Sequence, residues 1–149
     1  MERLIKIMQN IQSLEAGNII FVTISENPIL EKLAVQLVQN RQLRFGTTGD
    51  GGFLGEYSAT SVEVYGKEPG AIQLYDQGDF YESMHTDIFV TLDVAGFFIN
   101  ADGDKDDVNL FEEYGEDITK LNEENLEFFK RRFYPKVIEV IEKMIFANV

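Results

Sequence analysis

The chain has no cysteine, no tryptophan, one histidine and three prolines among its 149 residues, and acidic side chains outnumber basic ones 26 to 13. Without thiols, neither a disulfide nor a thiolate metal site can form, which fits synthesis in a reducing cytoplasm. A Ser-His-Asp or Cys-His arrangement would have to use His85, and one imidazole cannot supply a histidine-based metal cluster. His85 stands beside Thr86 and Asp87 at the edge of an expected strand, where a solvated or hydrogen-bonded histidine is the ordinary reading. Long apolar runs are also missing. None approaches the roughly 18 residues needed to cross a bilayer, so a soluble protein is expected. The segment from Met1 to Gly17, interrupted by Glu2, Arg3, Lys6 and Glu15, lacks the apolar core and cleavage site of a secretory signal, so no export is expected.

The formal charge of −13 disfavours general binding to nucleic-acid phosphates, because few basic groups are available to displace counterions. It suits solubility first, and also a surface that DNA slides past without sticking. What the chain does have is apolar material: 44% hydrophobic residues, with twelve Phe and six Tyr. That is enough to offset the entropy of ordering the backbone around one core, and a single domain spanning 1–149 is expected.

The pattern of residues predicts the elements in order. Leu4, Ile5, Ile7, Met8, Ile11 and Leu14 recur at helical spacing, predicting an amphipathic helix from Glu2 to Leu14, ended by Gly17, that packs on something. The β-branched run from Asn18 to Ile24 reads as a short strand or extended connection. Asn27 as N-cap, Pro28 at the first turn and Gly46 beyond the end bracket a second helix. Its expected inner stripe is Ile29, Leu30, Leu33, Leu37 and Val38, with Glu31, Lys32, Gln36, Gln39 and Arg41 facing away. Phe45 to Gly55 is too rich in glycine for a regular element and is read as a loop. Ser61 to Tyr65 predicts a strand, Gly66 to Gly70 a turn, and Ile72 to Tyr75 a short extended piece. Phe80, Tyr81 and Met84 place a short helix in Gly78 to Met84.

Alternation of Ile88, Val90, Leu92 and Val94 with Asp87, Phe89, Thr91 and Asp93 predicts a β-hairpin over Thr86 to Ala101, turned by Gly96. Val108 to Tyr114 reads as a short helix closed by Gly115. Asn122 caps the last helix, with Glu123 and Glu124 complementing its dipole. Leu126, Phe129, Phe133, Ile138, Ile141 and Ile145 form its expected buried face, and Pro135 predicts a kink or break after Tyr134. The fold class is therefore α+β: a small antiparallel sheet with a β-hairpin, packed by an N-terminal helix pair and a long C-terminal helix kinked near Pro135.

Few constellations carry chemistry. Asp102, Asp104 and Asp106 fall at positions one, three and five of a calcium-loop spacing, with Glu113 at twelve. However, Asp107 occupies the turn-glycine position and no helix precedes the loop, so the run reads as a solvated hairpin exit. Gly46 to Gly55 lacks the Gly-Lys-Ser/Thr ending of a phosphate loop. Paired carboxylates are too plentiful to single out a glycosidase pair. No cofactor and no enzymatic activity are expected.

Two segments are more specific. Leu54-Gly-Glu-Tyr-Ser58 and Leu74-Tyr-Asp-Gln-Gly-Asp-Phe-Tyr-Glu-Ser-Met84 together resemble a family of small virion proteins of tailed phages of gut bacteria. In that family a Gly-x-Tyr-Ser stretch precedes a Leu-x-Asp-Thr-Gly-x-Phe-Tyr-x-Ser element. The resemblance continues in the same order through Leu110-Phe-Glu-Glu-Tyr-Gly115 and Leu121-Asn122, covering the second two-thirds of the chain. Gln77 stands where the family has Thr, and the connection from Tyr65 to Ala71 is shorter and less basic. The Leu-x-x-x-Gly-x-x-x-x-Ser core is also similar to that of head–tail connector and tail-completion proteins.

The resemblance implies α+β subunits in a ring of six or twelve identical copies, meeting portal, neck or tail proteins at the head–tail junction or tail of the virion. DNA would pass without specific binding. The residues carried over are Leu54, Gly55, Tyr57, Ser58, Leu74, Gly78, Phe80, Tyr81, Ser83, Tyr114 and Gly115, read either as fold-determining or as interface positions. Of these, Gly78 would let the chain turn where a Cβ might clash, Phe80 and Tyr81 would be apolar anchors, and Ser83 would satisfy a local backbone group. A small acidic binding protein that mimics nucleic acid or fills a basic cleft is the alternative from another class.

Overall fold

The computed structural model describes residues 1–92 and 94–149. It is α+β, with seven helices and two small antiparallel strand pairs among the described residues. Helices α1 (Glu2–Gln12), α2 (Ala16–Glu26) and α3 (Pro28–Arg41) come first, followed by short helices α4 (Ala59–Tyr65) and α5 (Asp79–Glu82). The hairpin β1 (His85–Val90) and β2 (Ala95–Asn100) comes next, then the short pair β3 (Asp104–Lys105) and β4 (Val108–Asn109), α6 (Leu110–Tyr114) and α7 (Glu123–Ile145).

One core cluster joins α2, α3, α5, β2, α6 and α7. Leu30, Ala34, Leu37 and Val38 of α3, Leu43 just after it, Phe80 of α5, Ile99 of β2, Leu110 of α6 and Phe129 and Phe133 of α7 are buried together. At its centre, Phe97 of β2 meets the Phe129 and Phe133 rings at 5.2 and 5.6 Å between centroids, an aromatic seam that fastens the hairpin to α7. β1 and β2 pair in register from His85↔Asn100 to Val90↔Ala95.

The α3 boundaries follow their punctuation, but its outer face does not. Ile29 is 71% exposed, and Ala34 takes an inner position. Glu31 and Gln39, expected to face away, instead reach neighbouring elements. The Glu31 carboxylate accepts the Thr86 hydroxyl at 2.5 Å and its amide at 3.3 Å, and the Gln39 side-chain amide donates to the Tyr81 carbonyl at 2.8 Å. Asn27 precedes Pro28 as expected, but its side chain donates back to the Thr23 carbonyl at 2.9 Å and does not cap α3.

Several expectations are corrected. The run from Asn18 to Ile24 lies within α2, where contacts with α3, α7 and both hairpin strands outweigh β propensity. Buried Thr23 returns its hydroxyl to the Ile19 carbonyl at 2.7 Å, a helical i to i−4 bond. The N-terminal helices therefore number three, and α1 ends at Gln12, with Gly17 already inside α2. Ser61 to Tyr65 belongs to α4, not to a strand. Ser58 caps that helix by accepting the Ser61 amide at 3.1 Å, and Gly66 ends it at φ 64°. Ile72 to Tyr75 forms no strand; the nearest pairing is a single Glu56↔Ala71 bridge.

The hairpin turns through Thr91 and Val94, whose backbone bond measures 2.7 Å. Gly96 instead lies inside β2 opposite Phe89, where an added Cβ would stand 2.9 Å from the phenyl ring. Asp93, part of the expected alternation, lies outside the described residues. Val108 and Asn109 form β4, so the short helix starts at Leu110; Asn109 caps it, and Gly115 closes it as expected.

α7 begins at its Asn122 cap, which accepts the Asn125 amide at 2.9 Å, and runs unbroken through Pro135 to Ile145. Proline removes one helical N–H, and both Pro135 and the carbonyl-bearing Arg131 lie on the exposed face, where solvent can take the freed acceptor. Leu126 and Ile138 are exposed, and Val140 is buried in their place.

Candidate functional site

The motif residues converge although they are far apart in sequence. The Ile72 amide donates to the Gly55 carbonyl at 2.9 Å, and the Tyr57 amide to Gly70 at 3.0 Å, so the Leu54–Ser58 stretch lies along the segment leading into α5. Leu74 packs on the core with φ 55°, and Gly78 holds φ 96° immediately before α5. That backbone conformation, not crowding, explains the glycine, since a Cβ there would meet Tyr75 only at ordinary contact distance.

Phe80 is buried and meets Phe111 edge-on at 6.0 Å. Tyr81 packs edge-on to Tyr75 at 5.1 Å and donates its hydroxyl to the Gln73 carbonyl at 2.6 Å. Burial raises the Tyr81 phenol well above its usual range, with a further push from Tyr57. Tyr114 is raised too, by burial first and by Glu113 beside it. Ser83 donates to the Phe80 carbonyl at 2.8 Å and accepts the Asp102 amide at 2.9 Å, satisfying local backbone groups and tying α5 to the acidic run. Of these motif positions, Phe80 is buried in the core and Ser83 bonds local backbone, while Ser58 is exposed.

The acidic run lies against this motif. Asp76, Asp79, Asp102, Asp104 and Asp106 share a polar cavity of about 230 Å³ with Lys105 and Ser83. Asp76 pairs with both Lys105 and Lys67, whose hydrogen bonds hold its carboxyl down to about 2. The calcium-loop candidates are not gathered for a cation. Asp102 accepts the Asp104 amide at 3.0 Å, Asp104 accepts the Asn109 side chain at 2.7 Å, Asp106 sits at φ 52°, and Glu113 is on α6. No group of three or more His, Asp or Glu among the described residues is arranged to hold a metal ion.

His85 is half exposed. Its Nδ1 lies 2.9 Å from the Ser83 carbonyl and its Nε2 3.4 Å from the Asp87 carboxylate, the solvated and hydrogen-bonded setting expected at a strand edge.

Two apolar surfaces lie apart from the motif, on elements whose apolar pattern was legible in the sequence. Along α1, Leu4, Ile5, Met8 and Ile11 are 57, 49, 53 and 48% exposed, while Ile7, Asn10 and Leu14 turn inward. The Asn10 side chain donates to the Ile145 carbonyl at 2.7 Å, fixing α1 on the end of α7 by that narrow edge. The second surface is an apolar groove of about 610 Å³ between β2 and the first half of α7. All six β2 residues line it, because the hairpin has only two strands and the outer edge of β2 is unpaired. Phe97, Phe98, Leu126, Phe129, Phe133 and Tyr134 supply its apolar walls. The helical period of α1 was legible, but nothing in it tells which part of the stripe finds a partner.

No family model, no curated protein and no solved structure matches the chain.

Proposed function

We propose that the chain is a non-enzymatic structural subunit of a tailed-phage virion, a head–tail connector or tail-completion protein acting by oligomeric assembly around the DNA channel. The observation that carries this reading is the uncovered apolar stripe of α1, together with a separate apolar groove between β2 and the first half of α7. Contiguous exposed apolar patches of this kind mark interaction surfaces, because water ordered over them is released when a partner covers them. The motif resemblance supplies the virion setting: identical subunits in a ring of six or twelve, joined to portal, neck or tail proteins. In that setting the net acidity lets DNA pass without being held.

Two measurements test the proposal. Mass analysis of purified virions should find the polypeptide at the neck or tail, and native mass measurement should find oligomers of the purified chain, alone or with neck proteins. Mature particles free of the polypeptide would overturn it. Capture of a host enzyme through a basic cleft, by a chain missing from particles, would favour the acidic binding protein instead.

A further inference from the structure

We infer that the outer edge of β2 receives an extended peptide segment of another polypeptide as a third strand, lying in the groove against α7. The inference goes beyond the assembly reading and does not depend on a virion setting.

The main chain carries the argument. The Thr86 amide turns away from β2 toward the Glu31 carboxylate at 3.3 Å, and the Thr91 amide turns inward to the Val94 carbonyl at 2.7 Å. Along an antiparallel ladder these directions alternate, so Asp87 and Phe89 exchange bonds with Phe98 and Gly96. Phe97 and Ile99, opposite Ile88 and Thr86, therefore point their N–H and C=O groups outward. Among the described residues, neither of these amides and neither carbonyl has a main-chain partner. Ile99 is 6% exposed, which leaves little of its main chain open to water, and an unpaired buried main-chain group is costly enough to be rare. The edge also lacks the devices that keep edges from pairing, because Ala95 to Asn100 include no charged side chain and no proline. On β1, by contrast, Glu31 covers the Thr86 end of the outer edge.

The groove sets the side-chain pattern. Residues of a strand added beside β2 alternate between two faces. One is the face of Phe97, where Leu126, Phe129 and Phe133 form an apolar wall; the other is the face of Phe98, which is 48% exposed. A segment with apolar residues at every second position fits both. A helix does not, because its own N–H and C=O groups are used internally and cannot pair with Phe97 and Ile99. Nor does β2 of a second copy, which carries its own α7 alongside the same edge. The rim selects neither sign of charge, since Lys120 pairs with Asp117 at 2.6 Å and Lys130 with Glu127 at 2.8 Å. Recognition thus rests on main-chain bonds and alternate apolar side chains.

The test selects binders to the full chain from a displayed library of random decapeptides. Enriched sequences should alternate apolar and polar residues. A synthetic peptide of the enriched sequence should slow hydrogen exchange of the Phe97 and Ile99 amides by about tenfold or more, whereas in the free chain both should exchange faster than the laddered Phe98 amide. The same peptide N-methylated at alternate amides on its pairing edge should bind about tenfold or more weakly. Leu126→Glu, with its fold checked by circular dichroism, should weaken the unmethylated peptide as well.

Enrichment of apolar residues at three and four spacing would mean that the groove takes a helix, and the proposal falls. Equal affinity of the methylated and unmethylated peptides overturns it, because the edge is then unused. So does a library that yields no alternating binder, or a free chain whose Phe97 and Ile99 amides are already as protected as Phe98. Protection of those two amides that grows with the concentration of the chain alone would assign the edge to a second copy and overturn it too. None of these results bears on whether virions contain the polypeptide, so the assembly reading is tested separately.

Discussion

Gln42 and Asn125 stand 83 residues apart in sequence and are joined by a buried 3.0 Å hydrogen bond from the Asn125 side-chain amide to the Gln42 side-chain carbonyl. The same oxygen accepts the Asn122 amide at 2.8 Å, and the Gln42 amide donates to the Lys120 carbonyl at 2.7 Å. One fully buried side chain therefore ties the end of α3 to the start of α7, satisfying backbone groups that the turn before α7 would otherwise leave unpaired.

Replacing Gln42 by Leu should destabilise the fold by about 2–3 kcal/mol, because three polar partners lose their bonds and one of them, the Asn125 side chain, remains buried. Urea denaturation checks this. A loss below about 0.5 kcal/mol would show that the network is dispensable.

Phe129→Ala should cost about 3–5 kcal/mol, since Phe129 is buried and its ring touches both Phe97 and Phe133. The hairpin amides should then lose protection from hydrogen exchange more than α3 does, because Phe97 relies on that seam.

Pro135→Ala should stabilise the protein, by about 1–3 kcal/mol. The helix already continues through this exposed position, so alanine restores one helical hydrogen bond and removes the ring's clash with the preceding turn. A lowered melting temperature would mean that the proline shapes α7 in a way the fold needs.

Gly78→Ala should cost about 1–2 kcal/mol, from the positive φ alone, because the space for a methyl group is present. Gly78→Asn should recover part of that loss, which a crowding penalty would not allow.

Asp76 gives an acid-dependent contribution. Its folded carboxyl titrates near 2, below its ordinary value of 3.8, so its pairing with Lys67 and Lys105 contributes fully above about pH 4 and is lost as pH falls toward 2. Because the pair is solvent-accessible, Asp76→Asn should lower stability near neutrality by less than about 1 kcal/mol. It should also flatten the dependence of stability on pH between 4 and 2, which acid titration of the two proteins would detect.

Where the local code was strong, the sequence by itself determined the element. Pro28 opens α3, Asn122 caps α7, and the alternation from Ile88 to Val90 gives a strand, because each rests on bonds or sterics within a few residues. The α4 helix reads as a strand by its short β-like composition, although the Ser58 cap and the Gly66 terminator bracket it. The Ile72 amide donates to the Gly55 carbonyl and the Asp102 amide to the Ser83 hydroxyl, tying both motif segments to their neighbours in space. Tertiary structure alone decided the rest. It made a helix of the β-branched run at Asn18 to Ile24, turned Glu31 and Gln39 toward the hairpin and α5, buried Gln42, and left Leu4, Met8 and Ile11 exposed. Periodicity says which residues share a face, but which face is covered depends on neighbours distant in sequence, and that information is not carried by any local window.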